Sequence, residues 1–133
     1  MHIYIPIENR YSYEQARIFA EILGMMVTGA RPDLFTTPRS VAKREKGKVY
    51  FDHLQIGEGK TIAAPYVLRA YDGAPISTPL EWSEVRPGLL PTQFHIGNAL
   101  ERFARVGDLF QGTMTKRQRL EKPIAKLEPL VRG

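Results

Sequence analysis

Isoleucine occupies every second position near the start of the chain. In the segment HIYIPI at positions 2–7, the isoleucines share one face, and His2 and Tyr4 lie on the other. A period of two is typical of a β-strand, because successive side chains point to opposite faces. The pattern therefore predicts a strand whose isoleucine face packs on a helix.

The next segment has helical periodicity. Apolar residues recur every three or four positions from Ala16 to Val27, so they fall on one helical stripe. Ser12 precedes Gln15 by three residues, which is the spacing of a capping box. Gly29 is a typical C-terminal stop. The pattern predicts a helix that begins after Ser12 and ends near Gly29.

The remaining segments are shorter and less regular. The predicted strands cover residues 49–54, 61–71 and 92–96. The predicted helices cover residues 40–45, 81–85 and 98–106, with Leu100, Phe103 and Ala104 of the last one facing inward. Turns are predicted at residues 57–59 and 72–75. The order of elements fits an α+β fold with helices on one face of a sheet.

The composition is that of an ordinary globular protein. The 133 residues fit one domain, and 43% are hydrophobic and 25% charged. These values exclude a disordered tail, a collagen-like fibre and a coiled-coil rod. No apolar run is long enough to cross a bilayer, the start does not read as a signal peptide, and cysteine is absent. We therefore expect a cytoplasmic protein without a membrane partner.

The net charge of +5 is concentrated in two segments. Residues 39–48 hold five basic residues and one acidic residue, and residues 113–133 hold six basic and two acidic residues. A polyanion partner, either nucleic acid or nucleotide phosphate, would explain both segments, but so would two solvated faces. The first segment contains the side chains that we expect to contact phosphates: Lys43, Arg44, Lys46 and Lys48.

Asp52 is the strongest candidate for chemistry. Alternation in the predicted strand places it on the same face as Tyr50 and Leu54. A carboxylate between two large side chains is unfavourable unless it is paired or binds a metal. The residues alone leave open whether Asp52 forms an ion pair with a nearby cation or belongs to a metal site.

Three contiguous stretches carry a resemblance to a known family. They are KVYFDHLQ at 48–55, GKTIAAPYVLRA at 59–70 and GAPISTPLEW at 73–82. They resemble the polymerase domain of bacterial ligase D, a branch of the archaeo-eukaryotic primase superfamily used in non-homologous end joining. The resemblance implies an α+β domain over residues 1–112, with an RRM-like, primase-type antiparallel sheet and helices on one face. Independently of the resemblance, residues 113–133 form a basic tail, and the prolines at 123 and 129 predict that this tail is loosely held from Thr115 onward.

The resemblance also implies residue roles. Asp52 would be a catalytic, metal-binding carboxylate in a nucleotidyl-transfer site that uses two Mg²⁺ or Mn²⁺ ions. Arg69 would contact the triphosphate of the incoming nucleotide, with Gln55 beside it, and His2 would lie in the nucleotide pocket. The implied ligands are therefore DNA and a nucleoside triphosphate.

The sequence departs from this family in one important respect. The family's Asp-x-Asp pair, which supplies its other metal ligands upstream of the strand bearing His2, has no counterpart in these 133 residues. We therefore expect the isolated chain to be inactive as a polymerase. A separately encoded N-terminal polymerase half, a ligase or a second copy of the chain would be its protein partners. The alternatives are a non-catalytic module that binds DNA or a repair partner, and a decayed fragment that still folds.

Overall fold

The computed structural model describes the backbone of residues 1–131 and the side chains of residues 1–127. The described chain forms two compact units. Unit A comprises Met1–Pro6 and Ile62–Arg117, and unit B comprises Ile7–Thr61 and the described residues from Gln118 onward. The division of the sequence into a domain over 1–112 and a basic tail over 113–133 stays a prediction.

Unit B contains the longest helix, α1, which spans Tyr13–Ala30. The Ser12 Oγ accepts a hydrogen bond from the backbone N–H of Gln15 at 3.2 Å, and the Gln15 Oε1 accepts one from the backbone N–H of Ser12 at 2.9 Å. These two bonds form the predicted capping box, which satisfies two backbone donors that a helix start otherwise leaves free. The predicted helix is confirmed.

Two short strands of unit B pair in parallel. Strand β1 (Phe35–Thr36) lies beside β2 (Val49–Tyr50), and these two strands are the whole sheet of the described residues. The sequence predicted a strand over 49–54 within an antiparallel sheet. That prediction is corrected, because the strand ends at Tyr50 and its partner is parallel. Residues 54–55 already form a turn, so the chain leaves the extended conformation too early for a longer ladder.

The end of β2 packs on α1 through a glycine. Phe51 follows the strand, and its ring lies so close to Gly24 that a Cβ there would be 2.8 Å from the ring carbon Cδ1. Gly24 is one of the buried residues of the helix. The absence of a side chain at this position is therefore what allows the aromatic ring to reach the helix backbone.

Replacing Gly24 with alanine is expected to destabilise unit B. Alanine is favoured over glycine in a helix by about 1 kcal/mol. Overpacking against the half-buried Phe51 ring costs about 1–3 kcal/mol, which is the larger effect. Gly29→Ala is the matched control, because nothing lies within 4 Å of a Cβ at Gly29 in the same helix. Thermal unfolding should show a lower Tm for Gly24→Ala and an unchanged or higher Tm for Gly29→Ala; equal shifts would contradict the Phe51 contact.

The C-terminal segment is packed rather than loose. Helix α4 (Glu121–Val131) continues through Pro123, whose missing N–H costs nothing in the first helical turn. Leu120, just before it, is 2% exposed, and its backbone N–H donates to the Tyr11 hydroxyl at 2.8 Å. That hydroxyl in turn donates to the Glu121 carboxylate at 2.8 Å. The expected loose tail is thus wrong for the described residues; Arg132 lies outside them.

Unit A is built from short helices and isolated backbone bridges. Its two α-helices are α2 (Ile96–Val106) and α3 (Gln111–Thr115). Single-turn 3₁₀ helices cover Val41–Lys43 in unit B and Trp82–Glu84 and Pro91–Gln93 in unit A. The helices predicted near 40–45, 81–85 and 98–106 are therefore found, as are the turns predicted at 57–59 and 72–75. No helix of the described residues is both long and apolar enough to span a membrane.

Three predicted strands are wrong. The isoleucine-rich segment 2–7 makes a single bridge, from Ile7 to Gln118, and Ile3 is 62% exposed. Residues 61–71 contain a left-handed residue, Tyr66, with φ of 67°, which ends any regular extended run. Residues 92–96 include a 3₁₀ turn and His95, which caps α2 by accepting a hydrogen bond from the backbone N–H of Gly97 at 3.2 Å.

The buried face of α2 also differs from the prediction. Leu100 is 78% exposed and Ala104 is exposed, whereas Ala99 is 2% exposed. Of the three residues predicted to face inward, Phe103 alone is half-buried. Arg102 takes an inward position instead, because an ion pair with Glu84 holds it there. A charged residue on the buried face is the physical reason why apolar periodicity predicted the wrong face of α2.

Candidate functional site

Unit A contains a cleft of about 670 Å³. This volume is in the range of small-molecule sites, about 300–1,000 Å³. His2 and Arg69, two of the residues predicted to bind nucleotide, both line it. The cleft is also lined by Tyr4, Tyr71, Pro79, Trp82, Phe94 and Phe110. The structure therefore brings His2 and Arg69 together at one concave, largely apolar surface.

Aromatic contacts hold the N-terminal residues at the cleft. The Tyr4 ring meets the Phe110 ring edge to face, with centroids 5.0 Å apart. The His2 ring meets the Tyr4 ring in the same way at 6.5 Å. Such pairs contribute about 0.5–1.5 kcal/mol each beyond the area they bury. They position His2 without the strand pairing that the sequence predicted.

Arg69 is held by its backbone and leaves its charge available. Its N–H donates to the carbonyl of Pro75 at 2.8 Å, and its own carbonyl accepts from Tyr71 at 2.9 Å. The guanidinium lies 5.6 Å from the centre of the Tyr71 ring. No carboxylate within the described side chains forms an ion pair with Arg69. The arrangement presents a half-buried cation and a ring to the cleft.

Tyr66 ties the segment before Arg69 to the loop after α2. Its hydroxyl donates to the Asp108 carboxylate, which also accepts from the backbone N–H of Phe110 at 2.9 Å. Its ring meets Phe103 edge to face at 4.9 Å. Burial, and then the hydrogen bond to Asp108, raise the pKa of Tyr66. The hydroxyl therefore stays a donor at neutral pH and keeps Phe110 in the wall of the cleft.

Arg102 and Glu84 form the best-buried ion pair of unit A. Their two nitrogen–oxygen contacts measure 2.6 and 2.7 Å, and 11% of the Arg102 side chain is exposed. The hydrogen bonds between them lower the pKa of Glu84 and raise that of Arg102. Sequence reasoning missed this pair. The sequence feature that could have indicated the pair is the position of Arg102 beside Ala99 and Phe103 on an otherwise apolar face of the helix.

Asp52 and Gln55 lie in unit B, and both are exposed. The Asp52 Oδ1 accepts a hydrogen bond from the backbone N–H of Leu54 at 3.0 Å. Within the described side chains Asp52 forms no ion pair. The alternative that Asp52 is paired with a nearby cation is therefore not found there. Asp52 lies just before the turn at residues 54–55.

The segment around Asp52 is anchored to α1 by its neighbour. His53 is largely buried, with 16% of its side chain exposed, and its Nε2 lies 4.0 Å from the Glu21 carboxylate. Glu21 also pairs with Arg17 at 3.2 Å. Together with the Phe51 ring on Gly24, this contact fixes the backbone on both sides of Asp52, which leaves the Asp52 carboxylate outward.

The described residues do not fit a two-metal centre on their own. No group of three or more His, Asp or Glu side chains in the part of the chain with described side chains is placed to hold a metal ion. Mg²⁺ requires a near-octahedral set of oxygen ligands. Asp52 offers a single carboxylate, with one oxygen already bonded to the backbone. Any metal chemistry therefore needs ligands beyond those described.

The four predicted phosphate-binding residues divide into two pairs. Arg44 donates to the carbonyls of Pro38 and Arg39 at 3.0 and 2.8 Å and lies 3.7 Å from the centre of the Tyr50 ring. Lys48 pairs with Glu45 at 2.6 Å. Lys43 and Lys46 are exposed and have no ion pair within the described side chains. Two of these four residues, Arg44 and Lys48, therefore hold their own loop.

Comparison with known proteins identifies the class of this fold. The profile of the family described as "LigD, primase-polymerase domain" matches residues 1–110. The polymerase domain of Mycobacterium tuberculosis ligase D, solved in complex with DNA, superposes with a TM-score of 0.75 at 30% identity. That match covers 85% of this chain and 39% of the solved one. The fold is therefore that of part of a DNA-repair polymerase domain.

Two curated relatives agree with that class. The bifunctional non-homologous end joining protein LigD of Bacillus subtilis is 37% identical over 108 residues, which is 80% of this chain and 18% of the relative. The multifunctional non-homologous end joining DNA repair protein LigD of Mycobacterium tuberculosis is 32% identical over 111 residues, 84% of this chain and 14% of the relative. The chain belongs to the LigD primase-polymerase domain family, and it spans less than a fifth of these relatives.

Proposed function

We propose that the chain acts in DNA end joining as the part of a ligase D-type polymerase that binds the phosphates of the incoming nucleotide and supplies one catalytic carboxylate. The observation that carries the proposal is the cleft of unit A, which both His2 and Arg69 line. A guanidinium without a carboxylate partner suits a triphosphate, because charge-assisted bonds to phosphate are strong and geometrically specific. Asp52 and Gln55 lie in unit B, and the family resemblance gives them their proposed catalytic and nucleotide-contacting roles.

The proposed role requires a second polymerase segment. Nucleotidyl transfer by two Mg²⁺ or Mn²⁺ ions needs several oxygen ligands, and this chain offers Asp52 alone among the implied ones. An Asp-x-Asp segment must therefore come from elsewhere, either in the same polypeptide or from a separately encoded half or ligase. The isolated 133-residue chain is inactive in this proposal.

The accessible surface supports a covering partner. Exposed large apolar side chains include Ile3 in unit A and Val49 in unit B. Either a further polymerase segment or a second copy of the chain would cover such surface.

Nucleotide binding tests the role of the cleft. We expect the 133-residue chain to bind ATP, and Arg69→Ala to weaken binding by about 10- to 100-fold, the usual value of a hydrogen bond to a charged group. Calorimetric titration with ATP measures the affinity. Arg117→Ala is the matched control, because Arg117 is an exposed cation of unit A that does not line the cleft. Equal affinities of the Arg69 variant and the parent would contradict the proposal.

A second candidate function rests on unit B. Lys43 and Lys46 are exposed cations without an ion pair in the described region, as a phosphate-binding surface requires. On this view the chain is a non-catalytic module that binds DNA without nucleotide or metal. Binding of DNA with no measurable affinity for ATP would favour this function over the first.

A further inference from the structure

One largely buried side chain contacts three separate parts of the cleft wall. Arg102 projects from α2 and donates to both oxygens of Glu84, in the turn that contains Trp82. The same guanidinium donates to the carbonyl of Pro79 at 3.3 Å. Its central carbon also lies 5.1 Å from the centre of the Phe94 ring. Pro79, Trp82 and Phe94 all line the cleft, whereas Arg102 does not.

We propose that Arg102 is a positioning residue for the nucleotide cleft: it acts through Glu84, Pro79 and Phe94 to fix the wall and never touches the ligand. The expected change in ATP affinity rests on the proposed function of the cleft. The expected change in Trp82 mobility does not, because it is measured in the protein without nucleotide.

The chemistry of the guanidinium explains why arginine is needed at this position. A planar fork can donate to both oxygens of one carboxylate and, from the same nitrogen, reach a carbonyl. Lysine carries the same charge on a compact ammonium and cannot hold that geometry. Glu84 is engaged from a second side as well, because its Oε2 accepts the backbone N–H of Glu81 at 2.8 Å. The turn is therefore fixed at both ends through one carboxylate.

A purely structural role for Arg102 predicts a different result. If the pair only stabilised unit A, its loss would lower the Tm, and the folded variant would keep an unchanged cleft. If Arg102 positions the wall, the folded variant has a mobile Trp82 and a weaker nucleotide affinity well below its Tm. Trp82 is the sole tryptophan of the chain, so its fluorescence reports on this turn alone.

The test compares Arg102→Met, Arg102→Lys and Glu84→Gln with the parent chain at a temperature where each is folded by circular dichroism. We expect the fast component of the Trp82 anisotropy decay to at least double in amplitude in all three, and ATP affinity to fall about tenfold. Arg105→Lys is the matched control, because Arg105 is exposed on the same helix and makes no side-chain hydrogen bond within the described residues.

The outcomes separate this proposal from the proposed function. An unchanged anisotropy decay in Arg102→Lys and Glu84→Gln would overturn the positioning role, even if Arg102→Met failed to fold. A faster anisotropy decay with unchanged ATP affinity would contradict the claim that fixing the cleft wall strengthens nucleotide binding. If the parent chain does not bind ATP at all, the proposed function fails, while the anisotropy decay still decides whether Arg102 positions Trp82.

Discussion

Primer extension is expected when this chain is combined with an upstream ligase D polymerase segment that carries the Asp-x-Asp pair, and Asp52→Asn is expected to slow it strongly. Metal ions contribute several kcal/mol to stabilising charge in such a transition state, so losing the carboxylate that we propose as a metal ligand should lower the rate by about 10²- to 10³-fold. Asparagine keeps the oxygen that accepts from Leu54, so the turn should survive. Template-dependent extension with Mg²⁺ or Mn²⁺ measures the effect.

Two controls make this result specific. Asp72→Asn changes an exposed carboxylate in a turn of unit A and should leave extension unchanged. Circular dichroism of the Asp52 variant should match the parent, since Phe51 and His53 anchor the surrounding backbone. Extension by the isolated parent chain, or undiminished extension by the combined polymerase with Asp52→Asn, would each contradict the assignment of Asp52.

Signals between residues that are close in sequence correctly predicted local structure, such as a helix and its start. Helix α1 is correct because its capping box and its apolar stripe are formed by residues three and four positions apart. The strand over 2–7 is wrong because alternation indicates only an extended segment, and a strand also needs a neighbour from a distant part of the chain. In the structure, aromatic contacts of His2 and Tyr4 take the place of that neighbour.

The candidate site depended on information that periodicity does not contain. His2 and Arg69 are far apart in sequence, and only the family resemblance grouped them before the structure placed both at one cleft. Arg102 was missed because a charged residue is usually assigned to the solvated face of a helix. Its burial depends on Glu84, which belongs to another turn, and no pattern within α2 reports that partner.

The number of basic residues in a segment does not show which of them can bind phosphate, because it says nothing about their partners in the folded chain. The structure shows that Arg44 and Lys48 hold the loop of unit B, whereas Lys43 and Lys46 are exposed without an ion pair among the described side chains. A segment that looked uniformly basic therefore contains two kinds of residue. Their contributions to DNA binding should differ accordingly.

DNA binding by the chain is expected to be weak and strongly dependent on salt. If about four to six Lys and Arg side chains reach phosphates, log affinity should fall with log salt at a slope of about −4 to −5. Raising the salt from about 50 to 200 mM would then weaken binding by about 250- to 1,000-fold. Fluorescence polarisation with a labelled duplex measures this slope, and a flat response would show that the basic segments are only solvated surface.

Substitution of the two exposed lysines then identifies the residues responsible for the slope. Each cation that contacts a phosphate contributes about −0.9, so Lys43→Ala with Lys46→Ala should make the slope about two units shallower. Arg31→Ala is the matched control, because Arg31 is already paired with Asp33 at 2.8 Å in the same unit. If the control variant changed the slope as much as the lysine variant, binding would follow net charge and not a surface formed by Lys43 and Lys46.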